Sequence, residues 1–234
     1  MPSSITFDVD LIVFDLDGTL ADSLPDLAAA ANYACRRLGV PEHAQQEMEK
    51  MIGGGEANFV RRFLGPEHQD RFAEALELYI SRYEEHSGDA TRLYPGVPET
   101  LAALSGRRLA VLSNKMERLC RRVLAAMGIA HFFAAIKGGD SYGALKPSPL
   151  PLLSLAREMG VAPARTLMVG DKPADVITGR EAGARTVAVT YGYGDPEALA
   201  ASGPDLTLPR LTDLPRHLLR KVFCRVRTAH RNDA

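Results

Sequence analysis

The chain has 234 residues, 46% of them hydrophobic, enough to bury a substantial core in one large domain or two modest ones. Its 28 Lys and Arg balance 29 Asp and Glu, which leaves no global field to attract nucleic acid or acidic lipid, so a charged ligand must be captured by a local site. Cys35, Cys120 and Cys224 are odd in number and far apart, which suits neither a disulfide framework nor a clustered zinc site and points to a cytoplasmic protein.

The opening MPSSITFDVD has no basic stretch before an apolar core, and no later run approaches the about 18 uninterrupted apolar residues of a membrane span. Neither a membrane nor a nucleic acid is expected as a partner. The first apolar run covers residues 11–14 and reads as a buried strand. Between Asp22 and Leu93 there is no convincing strand, only amphipathic patterns at Leu27, Ala31, Ala34 and Leu38 and again over residues 72–83. Strand runs then follow at residues 109–112, 134–136, 167–169 and 186–189. Helical patterns at 115–127, 149–159 and 172–182 lie between them, the first and last stopping near Gly128 and Gly183.

This alternation predicts an α/β fold with a doubly wound parallel sheet, interrupted by a helical insertion. The division expected is a core of residues 1–21 and 94–215, a helical unit of residues 22–93 and a basic tail of residues 216–234. Because the insertion leaves after the first strand, it should hang over the carboxyl ends of the strands, where open α/β sheets bind ligands. In the tail, Arg216, Arg220, Lys221, Arg225, Arg227 and Arg231 stand beside apolar residues in the pattern of a basic amphipathic helix, to which no function is assigned.

Asp15 and Asp17 lie just past the first strand, where carboxylates at i and i+2 can face one cleft and packing gives no reason for either. A turn is the bland alternative. A calcium loop fails on spacing, because its Gly and Glu positions are occupied by Leu20 and Asp26. The earlier pair Asp8 and Asp10 precedes the strand and is set aside. Asp171 and Asp175 form a second acidic pair at another strand end, and carboxylates of this kind suit a hard cation such as Mg2+, with helix capping as the competing reading of Asp171. Ser113 and Asn114 follow a third strand run, and Lys146 opens a helical stretch. A hydroxyl and an ammonium are suitable donors to phosphoryl oxygens, although singly they could be a cap and a solvated lysine.

DLDGTL at 15–20, LSN at 112–114, KP at 146–147 and GDKPAD at 170–175 occur in the order of the four motifs of the haloacid dehalogenase superfamily. The sequence resembles its phosphoglycolate phosphatase group in particular, through YPGVPETL at 94–101, GGD at 138–140 and TYGYG at 190–194. The resemblance extends to about Leu214. It implies a Rossmann-like core with a small helical cap, and a Mg2+-dependent phosphatase acting on a small phosphorylated metabolite, 2-phosphoglycolate first, through an aspartyl phosphate.

Residue by residue, the resemblance implies that Asp15 is the nucleophile and Asp17 the acid and then base. Mg2+ would be held by Asp15, the main-chain carbonyl of Asp17 and Asp171. Ser113 and Lys146 would hold the phosphoryl oxygens, with Gly18, Thr19 and Asn114 beside the substrate. Asp175 would orient Lys146 or a water on the metal. Gly53, Gly54 and Gly55 resemble the cap loop that meets the rest of the substrate; a phosphate cradle is the rival reading of this run, but it lacks both the dinucleotide-binding and the P-loop spacing.

Other substrates in the group are sugar phosphates, amino-sugar phosphates and pyrophosphate, and related enzymes are sugar phosphomutases. A phospho-accepting binding module is the alternative outside enzymes, and a monomer or a homodimer is compatible with the sequence. One departure stands out. The residue after Asp171, often a small hydroxyl residue in the group, is Lys172 here. Its cation could lower the pKa of Asp171 or bring charge near the substrate, but the expectation favoured is that it points to solvent.

Overall fold

The run Leu11–Phe14 forms strand β1 with every residue buried, because it lies inside a parallel sheet covered on both faces. The computed structural model describes residues 5–219. After β1 come two short strands, β2 (Ala21–Asp22) and β3 (Arg92–Leu93), and then the five remaining strands of the sheet. These are β4 (Arg108–Leu112), β5 (Ala135–Lys137), β6 (Thr166–Gly170), β7 (Arg185–Val189) and β8 (Leu206–Leu208). The sheet order is β5-β4-β1-β6-β7-β8, parallel throughout. From β1 the chain winds outward through β4 and β5, then returns to the far side of β1 for β6, β7 and β8. This is the doubly wound order, and its reversal point falls between β1 and β6.

The helices are α1 (Leu24–Leu38), α2 (Gln45–Met51), α3 (Gly55–Leu64), α4 (Phe72–His86), α5 (Val97–Ala103), α6 (Glu117–Ala126), α7 (Leu150–Glu158), α8 (Pro173–Glu181) and α9 (Pro196–Ala201). Alternate residues of a strand face opposite sides of the sheet. Ile12, Phe14 and Val111 therefore join a core with Leu101 of α5 and Leu119 and Val123 of α6. Leu11, Val13 and Leu112 join a second core with Leu152, Leu155 and Ala156 of α7.

The insertion between β2 and β3 holds α1 to α4. Leu27, Ala31, Ala34 and Leu38 are all buried, as their spacing predicts. On α4, Tyr79 packs edge-on to Phe59 at 5.5 Å and stacks on Tyr83 at 6.0 Å between ring centres. The expectation of no strand in this interval needs correction at its two edges: the outgoing and returning chains pair antiparallel, Ala21 with Leu93 and Asp22 with Arg92. Two residues per strand leave no hydrophobic period to read. Nor was β8 anticipated, a three-residue edge strand with one fully buried side chain.

The basic helix expected from residue 216 does not begin there. Arg216 and His217 close a 3-10 segment, Leu211–His217, and Leu218 pairs with Phe7. The remainder of that pattern, with Cys224, lies outside the described residues. Cys35 and Cys120 are buried free thiols. Among the described residues no helix is long and apolar enough to cross a membrane.

Candidate active site

Where β1 and β6 diverge at the reversal point, each ends in an acid. The Asp15 amide donates to Val169 O at 2.9 Å, so the sheet hydrogen bonding continues up to the residue that presents the carboxylate. Asp171 follows β6, and Asp175 lies one turn into α8. The three carboxylates are buried, with one oxygen of each lying within 4.8 Å of the others. Burial, together with the charges of Asp15 and Asp175, pushes the pKa of Asp171 up to about 7. Burial raises that of Asp15 too, with Lys146 opposing.

Lys146 enters beneath this cluster. Its Nζ lies 3.0 Å from Asp15 Oδ1 and 2.6 Å from Asp175 Oδ1, and it donates to Leu112 O at 2.9 Å. Its three donors are thereby used. Burial favours the neutral amine, but Asp15 and Asp175 outweigh it and hold the group protonated. The second oxygen of Asp175 accepts from the Lys172 amide at 3.0 Å, which locks the carboxylate toward Lys146. Gly170 must be a glycine here, because a Cβ would fall 2.2 Å from Asp175 Cγ. Ser113 is buried at the end of β4 and lines the same cavity as Asp15 and Lys146.

Three residues expected beside the substrate do other work. The Thr19 hydroxyl is buried and donates to Asp171 Oδ1 at 2.9 Å, orienting that carboxylate. Gly18 has φ +85° and a Cβ there would meet Asp171 Oδ2 at 2.3 Å, so its role is close approach, with its amide committed to Ala21 O. Asn114 clamps the Lys146 backbone, donating from Nδ2 to Lys146 O at 2.9 Å and accepting from Lys146 N at 2.8 Å. All three position charged groups, a role that a motif position does not distinguish from direct contact.

The Asp17 side chain stands apart from the acidic cluster. Its Oδ1 accepts from the Ser23 hydroxyl and from Lys115 Nζ at 2.8 Å. Lys115 also donates to Tyr83 Oη at 2.7 Å, from a fully buried position beneath α4. Burial works against its charge, but Asp17 more than offsets this and raises its pKa. Because Ser23 turns its hydroxyl to Asp17, it does not cap α1 with its side chain. Tyr193 Oη instead accepts from Ser23 N and Leu24 N at 2.8 and 3.0 Å. The Tyr193 amide donates to Asp171 Oδ2 at 2.9 Å, so one residue ties the β6 acid to the start of the insertion.

A cavity of about 270 Å³ opens between this floor and the insertion. Gly53, Gly54 and Gly55 line it as expected, and Leu27, Phe59 and Tyr79 form an apolar wall. Glu56, buried at the start of α3, accepts from Met116 N at 3.1 Å; burial raises its pKa. Lys172 corrects the expectation of a solvent-facing side chain. Its Nζ crosses to the glycine loop and donates to Ile52 O at 2.5 Å, and its charge lowers the pKa of Asp171 against the larger effect of burial. Lys115, Glu56, Ser23 and Tyr193 were not singled out as site residues. Lys115 was findable by the logic that flagged Ser113 and Asn114, since it is the next residue off the same strand end. Asp8 and Asp10 pair with Arg165, before β1 and away from the cavity.

The floor fits a hard divalent cation. Its donors are all oxygen, and one ammonium faces three carboxylates whose burial and mutual repulsion raise the pKa values of Asp15 and Asp171. Asp171 meets only neutral donors, the Thr19 hydroxyl and the Tyr193 amide, and keeps lone pairs for such an ion, as does Asp15 beside Lys146, while Asp175 is committed to Lys146 and the Lys172 amide.

Residues 12–189 match the haloacid dehalogenase-like hydrolase family. Over 207 residues the chain is 40% identical to phosphoglycolate phosphatase of Aquifex aeolicus, spanning 87% of this chain and 94% of that protein. It is 38% identical over 216 residues to phosphoglycolate phosphatase of Chromobacterium violaceum, spanning 88% of this chain and 95% of that protein. Among solved structures, a predicted phosphoglycolate phosphatase from Haemophilus somnus aligns with a TM-score of 0.81 at 33% identity, covering 89% of this chain and 97% of that one. CbbY from Rhodobacter sphaeroides in complex with phosphate aligns with a TM-score of 0.74 at 25% identity, covering 88% of this chain and 96% of that one.

Proposed function

The chain belongs to the haloacid dehalogenase-like hydrolase family, and from that premise we propose that it hydrolyses a small phosphomonoester, 2-phosphoglycolate first, with Asp15 as nucleophile. The observation that carries this reading is the buried meeting of Asp15, Asp171 and Lys146 beneath a small closed-over cavity. A carboxylate oxygen of Asp15 bonds to phosphorus as the ester P–O bond breaks, and the departing alkoxide takes a proton from Asp17. Asp17 then removes a proton from water as its oxygen attacks phosphorus, releasing inorganic phosphate and restoring Asp15. Lys115 and Ser23 hold the Asp17 carboxyl in place for both transfers.

Ser113, and Lys146 once a donor turns from Leu112 O, meet the phosphoryl oxygens as their charge grows. Mg2+, held by Asp15, Asp171 and the main-chain carbonyl of Asp17, would neutralise the repulsion between an anionic nucleophile and an anionic ester. Residues 22–93 act as the cap over residues 1–21 and 94–215, with the paired β2 and β3 as the double crossing between them. The glycines at 53–55 and the apolar wall exclude bulk water around the ester.

The test is a hydrolysis screen over phosphorylated metabolites with Mg2+. Turnover of 2-phosphoglycolate should vanish in EDTA and in Asp15→Asn. Phosphate release that persists in either condition contradicts the mechanism, and transfer to a second sugar hydroxyl in place of water would make the enzyme a mutase.

A further inference from the structure

Of the three lysines that line the cavity, two are neutralised by carboxylates: Lys146 by Asp15 and Asp175, and Lys115 by Asp17. Lys172 forms no ion pair among the described residues; its Nζ hydrogen bonds to a carbonyl, Ile52 O. One hydrogen bond leaves two N–H donors of the ammonium without an oxygen acceptor among the described residues, the Tyr193 ring lying 5.9 Å from Nζ. The position of this cation is fixed from both sides. The Lys172 amide is bound to Asp175 at the entry to α8, and the head is tethered to the loop that carries the glycines. Gly53 lies beside the head, where a Cβ would make ordinary contact with Nζ at 3.4 Å, and its φ of +124° is what favours glycine.

The phosphate end of a substrate is served by the floor. Lys172 and the glycine loop it is tethered to line the same cavity of about 270 Å³ as Asp15, Ser113 and Lys146. We propose that Lys172 is a specificity-determining residue, selecting phosphomonoesters that carry a carboxylate at the end remote from phosphorus. The inference rests on the phosphatase reading of the floor and adds to it the residue that reads the end of the substrate remote from phosphorus. A carboxylate accepting from the two uncommitted N–H donors makes charge-assisted hydrogen bonds, and a half-buried ammonium is screened less than one in open solvent. Esters ending in a hydroxyl gain no comparable bond.

The experiment uses two substrate pairs matched in length: 2-phosphoglycolate against 2-hydroxyethyl phosphate, and 3-phosphonooxypropanoate against 3-hydroxypropyl phosphate. The wild-type chain, Lys172→Met and Lys172→Arg are assayed for kcat, KM and half-saturation by Mg2+. In Lys172→Met the kcat/KM ratio of carboxylated to neutral ester should fall by about tenfold or more, mainly through KM, and Lys172→Arg should recover most of it.

Three outcomes overturn the inference: a wild-type ratio near one, a fall in both esters together, as loss of a mere cap tether would give, or a severalfold shift in Mg2+ half-saturation with the ratio intact. Calorimetric binding of the same pairs to Asp15→Asn, with and without Lys172→Met, reads the ratio without turnover. A wild-type chain that hydrolyses none of the esters, with the binding ratio still falling in Lys172→Met, would strike the reading of Asp15 and leave that of Lys172 standing. No carboxylate preference in either assay sinks the inference on Lys172.

Discussion

Asp171 carries a carboxylate whose folded-state pKa is raised to about 7 by burial and by Asp15 and Asp175. A carboxyl raised above its unfolded value binds more protons in the folded state, so its contribution to stability is fully present below the ordinary carboxylate range and is lost as pH rises toward about 7. Thermal denaturation in EDTA should therefore show the stability of the wild-type chain falling relative to Asp171→Asn between pH 5 and pH 7.5. Adding Mg2+ should remove most of that slope in the wild-type chain. A wild-type minus variant difference that is flat with pH contradicts the account of the cluster. At this scale the acids were legible because packing gives no reason for a carboxylate straight after an apolar strand. Lys115, next off the strand end that flagged Ser113 and Asn114, was passed over because a lysine before a helix looks solvated until Asp17 and Tyr83 are seen to enclose it. Thr19 and Asn114 were found, but not their bonds to Asp171 and to the Lys146 backbone, since a motif does not say which way a hydroxyl or amide turns.

Apart from the edge strand β8, the strands of the sheet were legible nearly to the residue because strands covered on both faces read as unbroken apolar runs. Pieces held by backbone pairing alone, β2 and β3, leave no such trace. Near that crossing, Asp26 on α1 clamps the returning chain. It accepts from the amides of Gly88, Ala90 and Thr91 at 2.8, 2.9 and 2.9 Å and from the Thr91 hydroxyl at 2.7 Å. Burial disfavours this carboxylate, but these bonds outweigh it and lower its pKa. Asp26→Ala should cost about 2–3 kcal/mol in urea denaturation at neutral pH. The depressed pKa means that this contribution is present above the ordinary carboxylate range and fades as pH falls through the folded value, so the wild-type advantage should shrink in acid. An unchanged denaturation midpoint at neutral pH would show that the clamp does not hold the crossing.

Across the whole molecule, the reversal of strand order puts the ends of β1 and β6 side by side, and the chain that leaves β1 builds the roof over them before β4 begins. The sequence therefore indicated where a ligand would bind before any side-chain geometry was known. What it misjudged, the direction of Lys172, depends on how the roof meets the floor. The central claim is that Asp15 carries the phosphoryl group, and rapid acid quench during turnover of 2-phosphoglycolate, followed by peptide mass spectrometry, tests it most directly. The account predicts one added phosphoryl mass on the peptide that contains Asp15, absent from the Asp15→Asn chain; steady phosphate release with that peptide unmodified throughout would contradict it.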